Sequence, residues 1–202
     1  MKRASLVAIL AVAWPLFADD VSQEHYHVHT YSVNCIKRVK EFDLVLFHMQ
    51  KHLAVMQEIA RYKWNHGLGV EFTMHDAENI ARGAAKAEAL GMNREWLITF
   101  LEAQIEAGLM IQRQCFQSWG QQGAGHFEKC ADLETELQPY AAELLDELIT
   151  ALARVYPEMT PDEKECLKIQ EPLSKRYFDA LDSEVWNVAV LPLRTVFDIQ
   201  TN

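Results

Sequence analysis

The sequence predicts an all-α protein of about six helices, for three reasons. Apolar residues recur at steps of three and four over long stretches, which is the period of one helix face. Several of these stretches begin with residues that cap helices, and no part of the chain alternates as a strand of useful length does. The 202 residues, 50% hydrophobic and 24% charged, suit a single globular domain.

The first predicted helix is long and amphipathic, and it begins at about Val39. Its apolar residues lie at helical spacing: Phe42, Leu46, Met49, Leu53, Met56 and Ile59. The stretch His66-Gly67-Leu68-Gly69 contains two glycines and predicts the loop that ends this helix.

Capping residues mark the next two helices. Thr73 followed by Asp76 resembles a capping box and predicts a helix that runs to about Leu90. Asn93 can cap a third helix, which continues to about Trp119 before a glycine-rich stretch interrupts the pattern.

Prolines punctuate the C-terminal part of the chain. A fourth helix is predicted over 133–156, with Pro139 in its first turns or at a kink. Residues 160–166 combine a threonine cap, a proline and a glutamate in the order of a helix start, and predict a short helix. A last helix over 173–190 is expected to end before Pro192.

The N-terminus has the pattern of an export signal. Two basic residues precede an apolar run over 6–16, which is too short to span a bilayer, and the segment 1–18 is predicted to be a signal peptide. A polar leader (19–34) and a helical domain (35–202) follow. We therefore expect a secreted or periplasmic protein that leaves the membrane once the signal is removed.

The net charge of −10 excludes the basic footprint of a protein that binds nucleic acid or an anionic membrane. An acidic protein that binds a small anion must collect its few cations in one pocket. Each lysine and arginine near a cleft is therefore informative.

The four cysteines, an even number, suit an oxidising compartment and predict two disulfides, for which three pairings are possible. We favour Cys115–Cys130, which would clamp the glycine-rich stretch, and this leaves Cys35–Cys166. The alternative is that some of them are free, buried thiols.

A histidine triplet stands out in the leader. His25, His27 and His29 would lie on one side of an extended segment, an arrangement that can bind zinc or copper. A metal-binding exported protein is therefore one functional hypothesis. The alternative is a leader without fixed structure, as chain ends commonly are.

One set of motifs resembles a known family. His52-Leu53 precedes Lys63, which lies within Tyr-Lys-Trp, by eleven residues, and a Val-Glu-Phe-Thr-Met-His-Asp stretch follows at 70–76. Further on, Gln-Ile-Glu-Ala occupies 104–107. Over residues 47–119 this framework resembles the secreted all-helical chorismate mutases. Eleven residues make about three helical turns, so positions 52 and 63 share one helix face about 16 Å apart.

The resemblance implies a helical enzyme, a homodimer as in that family, that isomerises the dianion chorismate to prephenate.

 
 Such an enzyme needs no cofactor, nucleophile or metal, because it works by holding two carboxylates and stabilising charge on the breaking ether bond. By resemblance, Lys63 is the catalytic cation near the ether oxygen, and Gln112 is the catalytic amide that binds the same oxygen.

The sequence departs from the family where the substrate carboxylates bind. Arginine positions read His52 and His75, and a family asparagine reads Gly108; these three are the expected substrate-binding positions. The fourth helix offers Gln138 and the acidic pair at 146–147 where the family has another arginine. Each lost bidentate ion pair costs on the order of 2–5 kcal/mol, or roughly 30- to 4,000-fold in rate.

Besides metal binding, two functions therefore remain open from the sequence. The first is chorismate isomerisation, with activity expected to rise between pH 7 and 5 as His52 and His75, with ordinary pKa values near 6.5, regain positive charge. The second is a catalytically inactive relative that binds a small anion or a protein partner outside the cell.

Overall fold

The computed structural model describes residues 33–156 and 182–197, and in these ranges the protein is all helical. The elements are α1 (Val33–Asn65), α2 (Met74–Ala89), α3 (Arg94–Gln122), a π-helical turn (Leu133–Leu137), α4 (Gln138–Val155) and α5 (Ser183–Phe197). The predicted all-α class is confirmed. None of the helices in the described ranges combines the length and the apolar character needed to cross a membrane.

The predicted caps of the second and third helices are present. The Thr73 hydroxyl accepts a hydrogen bond from the Asp76 amide, and the Asp76 carboxylate accepts one from the Thr73 amide, which completes the capping box of α2. The Asn93 side chain accepts from the Trp96 amide at the start of α3. Local sequence therefore determines where these two helices begin.

The end of α1 is built from backbone hydrogen bonds. Gly67 has a φ of 64°, a left-handed conformation that glycine adopts without a steric penalty. The Leu68 amide then donates to the Lys63 carbonyl over 2.9 Å, as in a Schellman motif. The last turn of α1, including Lys63, is fixed in this way.

The core lies where α1 packs against α3 and α4, with α2 and α5 packed on α3. Fully buried side chains from these helices fill it, among them Leu46, Met49, Phe100, Leu148 and Leu193. Gly83 lets α2 approach closely, because a Cβ atom there would lie 2.6 Å from Leu101 Cδ1. The face of α1 that carries Leu46 and Met49 forms part of this core.

The predicted end of the last helix was wrong, because α5 continues through Pro192 to Phe197. A proline inside a helix removes a backbone donor and disturbs the preceding turn. Side chains of α3 bind carbonyls in this part of α5: Gln104 Nε2 donates to the Ala189 oxygen over 2.7 Å, and Trp96 Nε1 donates to the Pro192 oxygen over 3.1 Å. The predicted helix at 160–166 lies outside the described residues.

The preferred disulfide between Cys115 and Cys130 is absent: both cysteines are partly buried free thiols. The loop after α3 is bound to the end of α1 instead. Asn65 Nδ2 donates to the Phe127 carbonyl over 2.9 Å, and the Phe127 amide donates back to Asn65 Oδ1 over 2.8 Å. The loop is therefore held without a covalent clamp. The other predicted pair, Cys35–Cys166, includes a residue outside the described ranges.

Candidate functional site

A cavity of about 100 Å³ lies between α1, α2, α3 and the start of α4. Its polar lining consists of His52, Lys63, Thr73, His75, Asp76, Asn79, Gln112 and Gln138. Its apolar lining consists of Met56, Ile59, Ile105, Leu109, Leu133, Ala141 and Leu145. The cavity thus collects residues that are up to 93 positions apart in the chain, including four of the five predicted catalytic and substrate-binding residues.

Lys63 lies near the end of α1 and is only 8% exposed. Its neighbours in the Tyr-Lys-Trp motif contact other groups: Tyr62 stacks on His66, and Trp64 packs edge-on against Phe116. Burial lowers the pKa of Lys63, while the nearby carboxylates of Asp76 and Glu71 raise it. The lysine is therefore a desolvated cation that a bound anion would stabilise further.

His52 lies three turns earlier on the same face of α1 and is 6% exposed. Its Nδ1 atom is buried and has no hydrogen-bond partner among the described residues. Burial lowers the pKa of His52 to about 4, although the Asp76 carboxylate acts to raise it. His52 is therefore neutral between pH 5 and 7, which corrects the expectation that it regains charge in that window.

The first turns of α2 contribute three further polar residues. His75 Nε2 and Asn79 Oδ1 are buried atoms, and the part of the chain that the structure describes offers neither a hydrogen-bond partner. The Asp76 carboxylate caps the helix through Oδ2, which accepts from the Thr73 amide over 2.8 Å and from the Thr73 hydroxyl over 2.7 Å. The capping box thus also brings a carboxylate to the cavity.

Asp76 and Asn79 were not among the predicted site residues. Their spacing of three places them on one face of α2, beside His75. That spacing was visible in the sequence, but Asp76 already had a sufficient explanation as a cap. Helical periodicity applied to all of 73–79 would have indicated both residues.

Gln112 projects from α3, is 4% exposed and makes an unusual contact. Its Nε2 lies 3.7 Å from Met56 Sδ, a weak acceptor, and its Oε1 is buried without a partner. The amide can therefore exchange this contact for a ligand at little cost.

Gly108 is buried in α3 but is not among the lining residues. A Cβ atom at this position would lie 2.9 Å from Met56 Sδ and 3.0 Å from Met56 Cγ. The methionine thus occupies the space next to this position and itself lines the cavity. Gly108 offers no side chain to a ligand, and its substrate-binding role stays a prediction.

Of the fourth-helix residues considered in the sequence, Gln138 lines the cavity and the acidic pair does not. Glu147 Oε2 lies 3.2 Å from His48 Nδ1, and Asp146 lies within 3.5 Å of Lys86 Nζ. Both acids belong to a separate surface groove.

No group of three or more histidine, cysteine or acidic residues suited to a metal ion exists in the part of the chain that the structure describes. The predicted metal ligands His25, His27 and His29 lie outside that part, so the metal hypothesis stays a prediction.

The charges in the cavity nearly balance. Among the described residues that line it, Lys63 is the single amine or guanidinium, and Asp76 is the single carboxylate. His52 adds no charge near neutral pH. The arrangement can bind an anion at Lys63 and offer hydrogen bonds from imidazole and amide groups, but it lacks a second permanent cation.

Comparison with known proteins identifies the fold. The sequence matches no protein-family model and none of the curated proteins with which it was compared. A chorismate mutase structure from Burkholderia thailandensis matches with a TM-score of 0.66 and 24% sequence identity, covering 76% of this chain and 99% of that one. A chorismate mutase structure from Burkholderia phymatum matches with a TM-score of 0.66 and 21% identity, covering 77% and 97%. The chain therefore has the all-helical fold of these chorismate mutases.

Proposed function

We propose that the cavity binds a small organic carboxylate such as chorismate, and that it isomerises chorismate to prephenate more slowly than an arginine-lined site. The observation that carries this proposal is the convergence of a buried lysine with several unpartnered polar atoms in one cavity. The atoms are His52 Nδ1, His75 Nε2, Asn79 Oδ1 and Gln112 Oε1. Buried polar atoms usually have partners, so a cluster that lacks them suits a ligand.

Lys63 is the residue with the largest proposed effect. Its ammonium group would bind a substrate carboxylate and the ether oxygen on which negative charge develops as the C–O bond breaks. Because Lys63 is 8% exposed, little water competes for its donors. The lysine thus supplies the electrostatic part of catalysis.

Gln112 would supply the second donor to the ether oxygen. Its NH₂ group now faces Met56 Sδ, which binds donors weakly. A substrate oxygen would be the better acceptor, so the amide would move from sulfur to substrate on binding. The apolar residues of the lining, such as Ile59 and Leu109, would exclude water and favour a compact substrate conformer.

The charge balance favours binding without turnover as the second candidate function. A dianion brings two negative charges into a lining in which Asp76 already opposes Lys63. His52 and His75 occupy positions at which the related enzymes have arginine, and a neutral imidazole donates one hydrogen bond without a charge. These replacements would lower the rate of isomerisation more than they would weaken binding.

A paired assay tests the proposal. Chorismate consumption is followed by absorbance, prephenate is identified by chromatography, and binding is measured by calorimetry. We expect slow formation of prephenate by the wild-type protein, and a loss of about 100- to 1,000-fold in Lys63→Met, as for removal of one oxyanion-type donor.

Lys51→Met is the matched control. Lys51 is an exposed lysine of the same helix, and its ammonium lies 5.0 Å from the centre of the Phe47 ring, outside the cavity lining. This variant should keep wild-type turnover. Chorismate that binds without forming prephenate would establish the second candidate, and absence of binding would refute both.

We also propose that the protein is exported through residues 1–18 and functions as a homodimer. The support is the basic and apolar pattern of that segment and the resemblance to a secreted, dimeric family. N-terminal sequencing of the exported protein and light scattering of the purified protein test these points. An uncleaved N-terminus together with retention in the cytoplasm would refute export, and a monomeric mass would refute the dimer.

A further inference from the structure

The cavity contains a carboxylate that an anion site does not need. Asp76 is half-buried, and its charge acts on both His52 and Lys63. Both hydrogen bonds that the carboxylate accepts from Thr73 end on Oδ2. The other oxygen, Oδ1, accepts no hydrogen bond from the described residues and remains available to a donor.

Two further acceptors lack donors. Asn79 is 9% exposed and Gln112 is 4% exposed, and the side-chain oxygen of each is buried without a partner in residues 33–156 and 182–197. Unsatisfied buried acceptors cost free energy, and a ligand that carries N–H or O–H groups would remove that cost. A ligand that matches the polar side of the cavity therefore carries hydrogen-bond donors as well as a carboxylate.

The remaining lining limits the size and the polarity of such a ligand. Seven apolar side chains face a cavity of about 100 Å³, and several of them are branched, such as Ile59 and Leu145. A second carboxylate would have to lie among these side chains or beside Asp76, and both places are unfavourable for an anion.

We propose that the preferred ligand of this cavity is a small zwitterion, an amino carboxylic acid with an apolar body, whose carboxylate binds Lys63 and whose ammonium binds Asp76. The ammonium has three N–H donors, which suit Asp76 Oδ1 and the oxygens of Asn79 and Gln112. The apolar body contacts the aliphatic side chains. This inference rests on the proposed role of the cavity as a ligand site and changes the class of ligand.

A pair of probe ligands measures how much the ammonium group of the ligand contributes to binding. L-Leucine and 4-methylpentanoate share one carbon skeleton and one carboxylate, and they differ only in the amino group. Calorimetry with the full chain should show that L-leucine binds more tightly by a factor on the order of ten to one hundred, the effect of one charge-assisted hydrogen bond. Equal affinities, or no binding of L-leucine, would overturn the inference.

Two variants test whether Asp76 causes the preference for L-leucine over 4-methylpentanoate. Asp76→Asn retains an oxygen that can accept from the Thr73 amide, so α2 keeps its cap, and the ratio of the two affinities should fall to about one. Glu71→Gln is the control, because Glu71 also acts on Lys63 but is exposed and does not line the cavity. It should leave the ratio unchanged. An unchanged ratio in Asp76→Asn would overturn the inference, and the wild-type comparison stands even if that variant unfolds.

Turnover assays with chorismate, set beside L-leucine binding, distinguish this inference from the proposed function. Turnover of chorismate without L-leucine binding would refute the zwitterion and leave the isomerase. Binding of L-leucine without chorismate turnover would support the zwitterion and refute isomerisation.

Discussion

The buried neutral His52 predicts how the stability of the protein depends on pH. Its pKa is about 4 in the folded protein and 6.5 in the unfolded chain. Between these values the unfolded chain binds a proton that the folded protein does not. The free energy of unfolding therefore falls as pH falls from 6.5 toward 4, and this contribution is constant above and below that window.

The magnitude follows from the two pKa values. Between pH 7 and pH 4.5, the difference in proton binding at His52 lowers the free energy of unfolding by about 2 kcal/mol. This is a large part of the 5–15 kcal/mol typical of whole domains. Since His52 is 6% exposed, solvent screening reduces the effect little.

Urea unfolding of the wild type and of His52→Gln at the two pH values measures this contribution. Both proteins contain the same carboxylates, so their titration largely cancels in the comparison. The wild type should lose about 2 kcal/mol more than the variant on acidification. Equal losses in the two proteins would show that His52 is not held neutral in the fold, and the account of the cavity's charge would fail with it.

Three other substitutions test the fold and the site. Gly83→Ala should destabilise the protein by about 1–3 kcal/mol in thermal unfolding, because its Cβ would lie 2.6 Å from Leu101 Cδ1; an unchanged melting temperature would contradict this close approach. Gln104→Leu should cost about 1–3 kcal/mol in urea unfolding, because it leaves the Ala189 carbonyl without the donor now 2.7 Å away; equal stability would show that the bond is dispensable. His75→Arg should raise chorismate affinity about tenfold or more in calorimetry by adding a permanent cation, and weaker binding would place this side chain outside the ligand's reach.

Some of the polar residues that line the cavity could be placed from the sequence because they lie on regular helices. His52 and Lys63 are eleven residues apart on α1, and helical geometry alone brings them to one face. His75 follows directly from the cap at Thr73, which fixes where α2 begins. Four of the fifteen residues that line the cavity were therefore singled out before the tertiary structure was considered.

Features that depend on tertiary contacts could not be predicted in this way. The continuation of α5 through Pro192 involves side chains of α3, about 90 residues earlier in the chain, that bind its carbonyls. Cys115 and Cys130 are free thiols, and hydrogen bonds between Asn65 and Phe127 hold the loop between them at the end of α1. The pKa of His52 is a further case, because the depth of its burial depends on how four helices meet.

The position of Lys63 does not depend on the groups that would bind the rest of a substrate. Its backbone is fixed by the hydrogen bond from Leu68, and the aromatic side chains on either side of it are packed against His66 and Phe116. These contacts involve neither His52 nor His75, so the fold can hold this buried cation whichever side chains stand at those two positions. With Asp76 opposite that cation, the same scaffold is better matched to a ligand that carries both charges than to a dianion.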